Sequence, residues 1–417
     1  MLFIYELGIW LLTGAIRLAA LFHPKAKKWV TGRRQWRSRY RSAFQKNKRL
    51  LWIHAASLGE FEQGRPVLEA FREQFPDWQI VLTFFSPSGY EIRKIYSGAD
   101  FVAYLPADTH RNARDFLDWL QPDAAIFIKY EFWANYLFEL KKRGTPTLLV
   151  SALFRQKQVF FRPYGHFWRR VLGCFSHIFV QNEASAALLR QIGIRNMSRA
   201  GDTRVDRVLK LSASVPENAT LQAFVPAGEK AALIVGSSWP ADEALLLPLL
   251  DAPGFAQQKW VIAPHEPAAR HLAQLLPRLP QPFARYSDGA ASHAIHAARV
   301  LVIDNIGLLN TLYRYGRVAY IGGGFGKGIH NTLEPAAYGL PVLFGPRFEK
   351  FEEARQLVAR GGAFVVRHTE ECKAILARLQ DETEYQRASQ AARQYLEDNR
   401  GATDKIMTHL SRLCPDL

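Results

Sequence analysis

Three features of the sequence predict an α/β chain built from two doubly wound, Rossmann-like domains in tandem. Apolar runs of strand length alternate with helical patterns in two separate series, 50–180 and 231–344. At 417 residues the chain is too long for one ordinary core. Between the series, 209–228 (LKLSASVPENATLQAFVPAG) mixes Ser, Pro, Asn and Gly with few long apolar runs and reads as a linker. The expected division is an apolar helix with a basic membrane-proximal segment over 1–49, a first α/β domain over 50–208, the linker, and a second α/β domain with final helices over 229–417.

Composition supports a well-filled core. Hydrophobic content of 48% with 10 Trp and 27 Phe leaves no case for disorder. The 3 cysteines, Cys174, Cys372 and Cys414, have no metal-ligand spacing, which fits a reducing compartment and argues against a zinc site or a disulfide framework. The formal net charge of +16 is partly local. From Lys25 to Arg49 the chain carries Lys25, Lys27, Lys28, Arg33, Arg34, Arg37, Arg39, Arg41, Lys46, Lys48 and Arg49 with no acidic residue between them. Such a run attracts a polyanion, either nucleic acid or an anionic lipid surface.

The preceding segment favours lipid. Leu2 to Phe22 is mostly apolar, interrupted by Glu6 and Arg17, which at about 100° per residue fall on nearly the same helix face. Its unbroken apolar run is shorter than the roughly 20 residues of a full span. The expectation is a helix lying in the interface or crossing with a tilt, the basic run on the cytoplasmic side; an ordinary packed helix of a soluble domain is the alternative. No small-residue cleavage site follows, so a removed signal peptide is not expected. The basic run lacks a nucleic-acid module, so no nucleic-acid partner is expected.

In the first series, Leu50 to Ala55, Ile80 to Phe85, Phe101 to Leu105, Ala124 to Ile128, Thr147 to Val150 and His177 to Val180 read as strands separated by helices. Ligands of such parallel sheets lie beyond the carboxyl ends of the strands. That rule selects Ser57, Gly59, Glu60, Ser86, Gly89, Lys129, Glu131 and Arg155. Glu60, just after a glycine at a strand end, can take a proton from an attacking hydroxyl, or can be a helix N-terminal acid. Lys129 and Glu131 are either ligand groups or a solvated pair. Arg155 and Lys157 are either phosphate contacts or surface charge.

The second series holds Ala231 to Val235, Trp260 to Ala263, Val300 to Ile303, Arg317 to Ile321 and Pro341 to Phe344. Its strand-end loops nominate Gly236, Ser237, Pro264, His265, Ile306, Gly307, Leu308, Asn331, Thr332, Leu333 and Glu334 for one nucleotide pocket. Glycines at 322, 323, 324, 326 and 328 allow close approach of backbone to ligand, and a helix opening near Asn331 offers N–H groups to a phosphate. Glu334 can accept two ribose hydroxyls or cap the helix. No Asp-x-Asp pair occurs, so neither a metal ion nor another cofactor is expected.

Several motifs in order carry a family resemblance. His54-Ala55-Ala56-Ser57-Leu58-Gly59-Glu60 resembles the signature of the 3-deoxy-D-manno-octulosonic acid (Kdo) transferases. Ser86-Pro87-Ser88-Gly89, Lys129-x-Glu131-x-Trp133 and Gly201-Asp202-x-Arg204-x-Asp206 fall where that family has similar motifs. The glycine turn, His330-Asn331, Glu334-Pro335, Gly339-x-Pro341 and Gly345-Pro346 resemble the sugar-nucleotide site of GT-B glycosyltransferases. The match runs from the amino-terminal helix to about Pro346. It implies a GT-B fold, two domains facing a cleft and a final helix crossing back to the first. It further implies inverting, metal-independent transfer of Kdo from CMP-Kdo to the lipid A precursor lipid IVA, in lipopolysaccharide biosynthesis at the cytoplasmic side of the inner membrane, with Glu60 as base. Two departures stand out: His265 replaces an arginine that the family often has near Pro264, and Leu308 lies where it often has a glutamate. The rival readings are a GT-B transferase or epimerase for a UDP-sugar, and a non-enzymatic polyanion-binding protein.

Overall fold

A computed structural model describes residues 1–41, 48–226, 228–289 and 293–413. Lys46 of the basic run and Cys414 lie outside them. The chain forms two units: Met1–Asp206 with Asn399–Leu417, and Arg207–Asp398.

The first unit is built on a parallel sheet of seven strands: β1 Leu50–Ala55, β2 Gln79–Phe84, β3 Phe101–Tyr104, β4 Ala124–Ile128, β5 Thr147–Ala152, β6 His177–Val180 and β7 Met197–Arg199. Every residue of β1, β2, β4 and β5 is buried. That explains their continuous apolar runs: a parallel sheet covered by helices on both faces has no polar side. One face packs Trp52, Phe116, Phe127 and Tyr136, the other Leu51, Ile53, Phe71 and Phe84. The strand order β3-β2-β1-β4-β5-β6-β7 reverses direction between β1 and β4, and a ligand crevice opens at such a switch point.

Three helices precede this sheet: α1 Leu2–Ala19, α2 Pro24–Gly32 and α3 Trp36–Arg41. They belong to the same unit rather than to a separate membrane-proximal segment. Trp36 and Tyr40 join the core beside Phe116. Arg33 is turned inward, donating to the Leu105 and Phe85 carbonyls (2.8 Å each) and stacking over Trp29. Arg37 donates to Asp115 at 2.8 Å. Part of the basic run is therefore structural.

The second unit repeats the plan with β8 Ala231–Ser238, β9 Trp260–Pro264, β10 Phe283–Arg285, β11 Val300–Val302, β12 Gly316–Ile321, β13 Val342–Phe344 and β14 Ala363–Val365, in the order β10-β11-β9-β8-β12-β13-β14. Here the switch point lies between β8 and β12, whose register sets Gly236 opposite Ile321.

Two expected boundaries move. The segment read as a linker is largely ordered helix, Thr203–Ala213 and Ala219–Phe224. Leu221, Phe224 and Val225 are buried, and Asn218 donates to the Tyr286 hydroxyl, which ties it to the second unit. The last helix, Ala402–Leu413, belongs to the first unit, because Ala402, Ile406, Met407 and Leu410 fill the core around Phe71.

Candidate functional site

The loops after β1 and β4, neighbours at the first switch point, assemble an acid cluster. The helix after β1, α4 (Leu58–Gln74), starts behind Ser57, and Glu60 stands in its first turn. The Glu60 carboxylate accepts the Ala56 amide at 2.7 Å. Its pKa is nevertheless raised from 4.5 to about 7, chiefly by burial and next by the charge of Glu131, against the pull of the Ala56 amide and Lys129. The carboxyl group is thus poised near neutrality.

Glu131 is buried and receives two donors on one oxygen. Trp133 Nε1 donates to its Oε2 at 2.6 Å, and His54 Nε2 lies 2.9 Å from the same atom. Two lone pairs cannot face each other at that distance, so a proton sits between them. On its other side, fully buried His54 meets the Thr83 hydroxyl at 2.8 Å, and Thr83 accepts Trp52 Nε1 at 2.8 Å. A chain Trp52–Thr83–His54 therefore ends on the Glu131 carboxylate. The sequence reading missed His54 and Thr83 as members of the site; the available signal was a pair of polar residues inside otherwise apolar, fully buried strands.

Lys129 closes β4 in the left-handed region at φ 64°, where a residue with a side chain is strained. Its charge pulls down the pKa of both Glu60 and Asp202. The Gly201-Asp202-x-Arg204-x-Asp206 motif is architectural at both acids. Arg204 clamps Asp202 (2.6 Å), and Asp206 accepts the amides of Gly401 and Thr403 (2.7 Å each), fastening the last helix. Ser86 caps the helix Pro87–Arg93, accepting the Ser88 amide at 3.2 Å, and Gly89 packs on Phe84 in that helix. Gly59 is exposed, with no atom within 4 Å of where a side chain would begin. Arg155 is exposed in the loop after β5; its backbone amide donates to Gln158, and its side chain makes no hydrogen bond or ion pair with the cluster.

In the second unit the expected positions converge on the ends of β8, β9 and β12. Ser237 holds φ 54°, a second strained strand end. The fully buried Tyr313 hydroxyl lies against Gly236. Burial and the nearby Glu334 raise its pKa well above the ordinary tyrosine value, so it stays protonated. Gly324 is pressed onto Gly345 so closely that an added side-chain carbon would stand 2.5 Å from backbone. Asp242 ties the glycine turn down, accepting the amides of Gly323 and Trp239 (2.9 Å each) and the Tyr320 hydroxyl at 2.8 Å.

Asn331 bridges the helix Leu333–Ala337, donating to Glu334 at 2.9 Å and accepting the Leu333 amide at 3.1 Å. Thr332 is fully buried. His265, after Pro264, lies over Trp239 (4.7 Å) and His330 (4.2 Å), which are nearly parallel and joined edge to edge, Trp239 Nε1 donating to His330 at 3.0 Å. This aromatic stack went unread in the sequence, since its members come from three separate loops. Burial and the neighbouring His265 lower the His330 pKa to about 4, so the ring is neutral near pH 7. Ile306 is exposed, Gly307 holds φ 98° and Leu308 precedes the helix Leu309–Tyr313; none of the three joins the stack.

Comparison with known proteins follows this geometry. A family model described as 3-deoxy-D-manno-octulosonic-acid transferase matches residues 34–207. The 3-deoxy-D-manno-octulosonic acid transferase of Bordetella pertussis is 28% identical over 389 residues, 86% of each chain. That of Chlamydia pneumoniae is 26% identical over 324 residues, 75% of this chain and 73% of the relative. Among solved structures, the UDP-GlcNAc 2-epimerase of Neisseria meningitidis superposes with a TM-score of 0.59 at 16% identity, over 87% of this chain and all of that one (100%). MurG of Acinetobacter baumannii gives 0.56 at 13% identity, over 88% and 99%. These two carry the fold alone.

Proposed function

We propose that the chain, similar along most of its length to the Kdo transferases, is a GT-B glycosyltransferase of lipopolysaccharide biosynthesis that moves Kdo from CMP-Kdo to a hydroxyl of the lipid A precursor lipid IVA, with inversion and without a metal ion. The observation that carries the mechanism is the Glu60 carboxylate set in the first turn of α4, accepting the Ala56 amide at 2.7 Å, where burial and Glu131 raise its pKa to about 7. A base near the working pH combines a substantial ionised fraction with a strong pull on the proton.

The acceptor hydroxyl oxygen forms its bond to the anomeric carbon while its proton passes to Glu60. The bond from that carbon to the CMP phosphate oxygen breaks with its electron pair, and CMP leaves. Inversion follows from a single displacement on the face opposite the leaving group. Lys129 supplies positive charge beside the base. In the second unit, the glycine turn lets a phosphate come close to the backbone, Glu334 is an acceptor for ribose hydroxyls, and the Trp239, His265 and His330 rings offer a flat wall. The absence of an Asp-x-Asp pair supports metal-independent transfer.

A lipid acceptor is consistent with an enzyme working at the cytoplasmic face of the inner membrane, with α1 as the contact. One edge of α1 is fixed to the first unit: Tyr5 donates to Asp108, Glu6 accepts the His110 amide at 2.9 Å, and Ile9 and Thr13 are buried. Its other faces expose Leu7, Trp10, Leu11 and Leu18. A helix fastened along one side to a water-soluble sheet lies in the interface instead of spanning it. Glu60→Gln tests the mechanism. Transfer to lipid IVA, read by mass spectrometry, is lost while CMP-Kdo binding persists; turnover at the wild-type rate removes Glu60 from the chemistry.

A further inference from the structure

We propose that a cavity of the first unit, where α1 meets α2 and α3, binds the phosphate of a membrane lipid. The cavity measures about 590 Å³, and Arg17, Arg34, Arg37 and Arg111 line it together with Trp10 and Trp36. No Asp or Glu is among its lining residues. Arg33 lines it too, but donates to the Leu105 and Phe85 carbonyls; of the other four guanidiniums Asp115, just outside, answers two, Arg37 at 2.8 Å and Arg111 at 3.9 Å. The side chains of Arg17 and Arg34 make no hydrogen bond or ion pair with any described residue. Like charges drawn toward one concavity repel unless an anion joins them, and guanidinium forks match phosphate oxygens in pairs.

The surroundings select a lipid as the source of that phosphate. Trp10 lines the cavity yet is 57% exposed, on the helix whose outward face shows Leu7, Leu11 and Leu18. An acyl chain leaving the cavity mouth therefore finds apolar surface beside it, and an indole at that border suits the level of lipid headgroups. The cavity is also held to the catalytic edge of the sheet. Arg33, in its wall, donates to the carbonyls that follow β2 and β3, and Phe85 packs at 4.8 Å on Trp133, the indole that donates to Glu131. A lipid held by its phosphate thus lies on the edge that carries Glu60. The inference rests on α1 as an interfacial helix and not on the role of Glu60.

Vesicle flotation of the full chain tests it, with phosphatidylcholine vesicles alone or containing phosphatidic acid. Arg17→Glu with Arg34→Glu is compared with Lys25→Glu with Lys27→Glu, which changes the same charge outside the cavity. The expected result is preference for phosphatidic acid, about ten-fold or more weakened by the arginine pair and weakened much less by the lysine pair. Thermal unfolding of both double variants checks the fold. Equal losses in the two pairs would reveal a diffuse basic surface and overturn the cavity. Binding to both vesicle types alike would overturn it while leaving the membrane reading intact; no vesicle binding at all would sink both. Inorganic phosphate that displaces the protein marks a site for phosphate itself, and failure to displace marks one that needs the lipid; either result, with the arginine dependence, upholds the cavity.

Discussion

Replacing Glu131 by Gln removes one charge and nearly no volume, so it isolates the electrostatic hold on Glu60. A rise from 4.5 to about 7 amounts to about 3 kcal/mol against the ionised form. Burial is the larger cause and survives the substitution; the Glu131 charge is the next and does not. A neighbouring carboxylate in such a site contributes on the order of one pH unit, about 1.4 kcal/mol. The acid limb of kcat/KM for Kdo transfer, which follows ionisation of free Glu60, then moves from near pH 7 to near pH 6. The plateau falls, because a weaker base pulls less on the hydroxyl proton. Thr83→Val, which cuts the chain behind His54 without changing shape much, moves the limb in the same direction by a smaller amount. The assay is transfer from CMP-Kdo to lipid IVA across pH 5 to 9, with product mass as the readout. An acid limb that stays in place in Glu131→Gln, or climbs, refutes the coupling.

Three further outcomes follow from the packing. Gly324→Ala drives a side-chain carbon to 2.5 Å from the Gly345 backbone, so it costs about 1–3 kcal/mol by overpacking and lowers the unfolding temperature. Gly59→Ala meets no atom within 4 Å; it leaves the unfolding temperature unchanged and raises the KM for the lipid acceptor if that exposed turn touches it. The packing of the last helix is pH-sensitive. His177 stacks on His409 of that helix at 4.1 Å, and burial with the neighbouring ring lowers the His177 pKa from 6.5 to about 4. The unfolded chain binds the extra proton first, so this stability is complete above about pH 6.5 and drains as pH falls toward 4. Unfolding temperature measured at pH 7 and pH 5 drops more in the wild type than in His177→Phe; equal drops would exclude the pair.

The sheets were legible because a parallel strand buried on both faces needs an unbroken apolar run, and LLWIHA or AAIFI cannot be much else. β7, β10 and β14 escaped notice: each has three residues, β7 and β10 contain Met-Ser-Arg and Phe-Ala-Arg, and all are short outer strands with no run to recognise. The supposed linker was misjudged because Asn218 there caps a helix, accepting the Leu221 amide at 3.0 Å. Site positions next to strand ends were reachable by rule. The His54 relay and the Trp239 stack were not, since they depend on which strands and loops become neighbours.

Glu60 also illustrates how opposed local effects resolve. A carboxylate in the first turn of a helix, accepting an amide and standing near a lysine, should titrate low, since each of those influences favours its charge. Read by those rules alone it would be a capping acid and a poor base. Its pKa instead rises, because burial costs the charge more than one amide and Lys129 return, and because Glu131, anchored by Trp133 and His54, adds a like charge nearby. The order of influence has a functional corollary. Lys129 cannot be what makes Glu60 basic; it works against that, and its strained backbone at φ 64° therefore needs another purpose. On the proposed mechanism that purpose is to hold positive charge where the acceptor oxygen gains electron density. Lys129→Met then raises the Glu60 acid limb while lowering the plateau, the reverse of the shift expected for Glu131→Gln, and an unchanged plateau would leave Lys129 with no part in transfer.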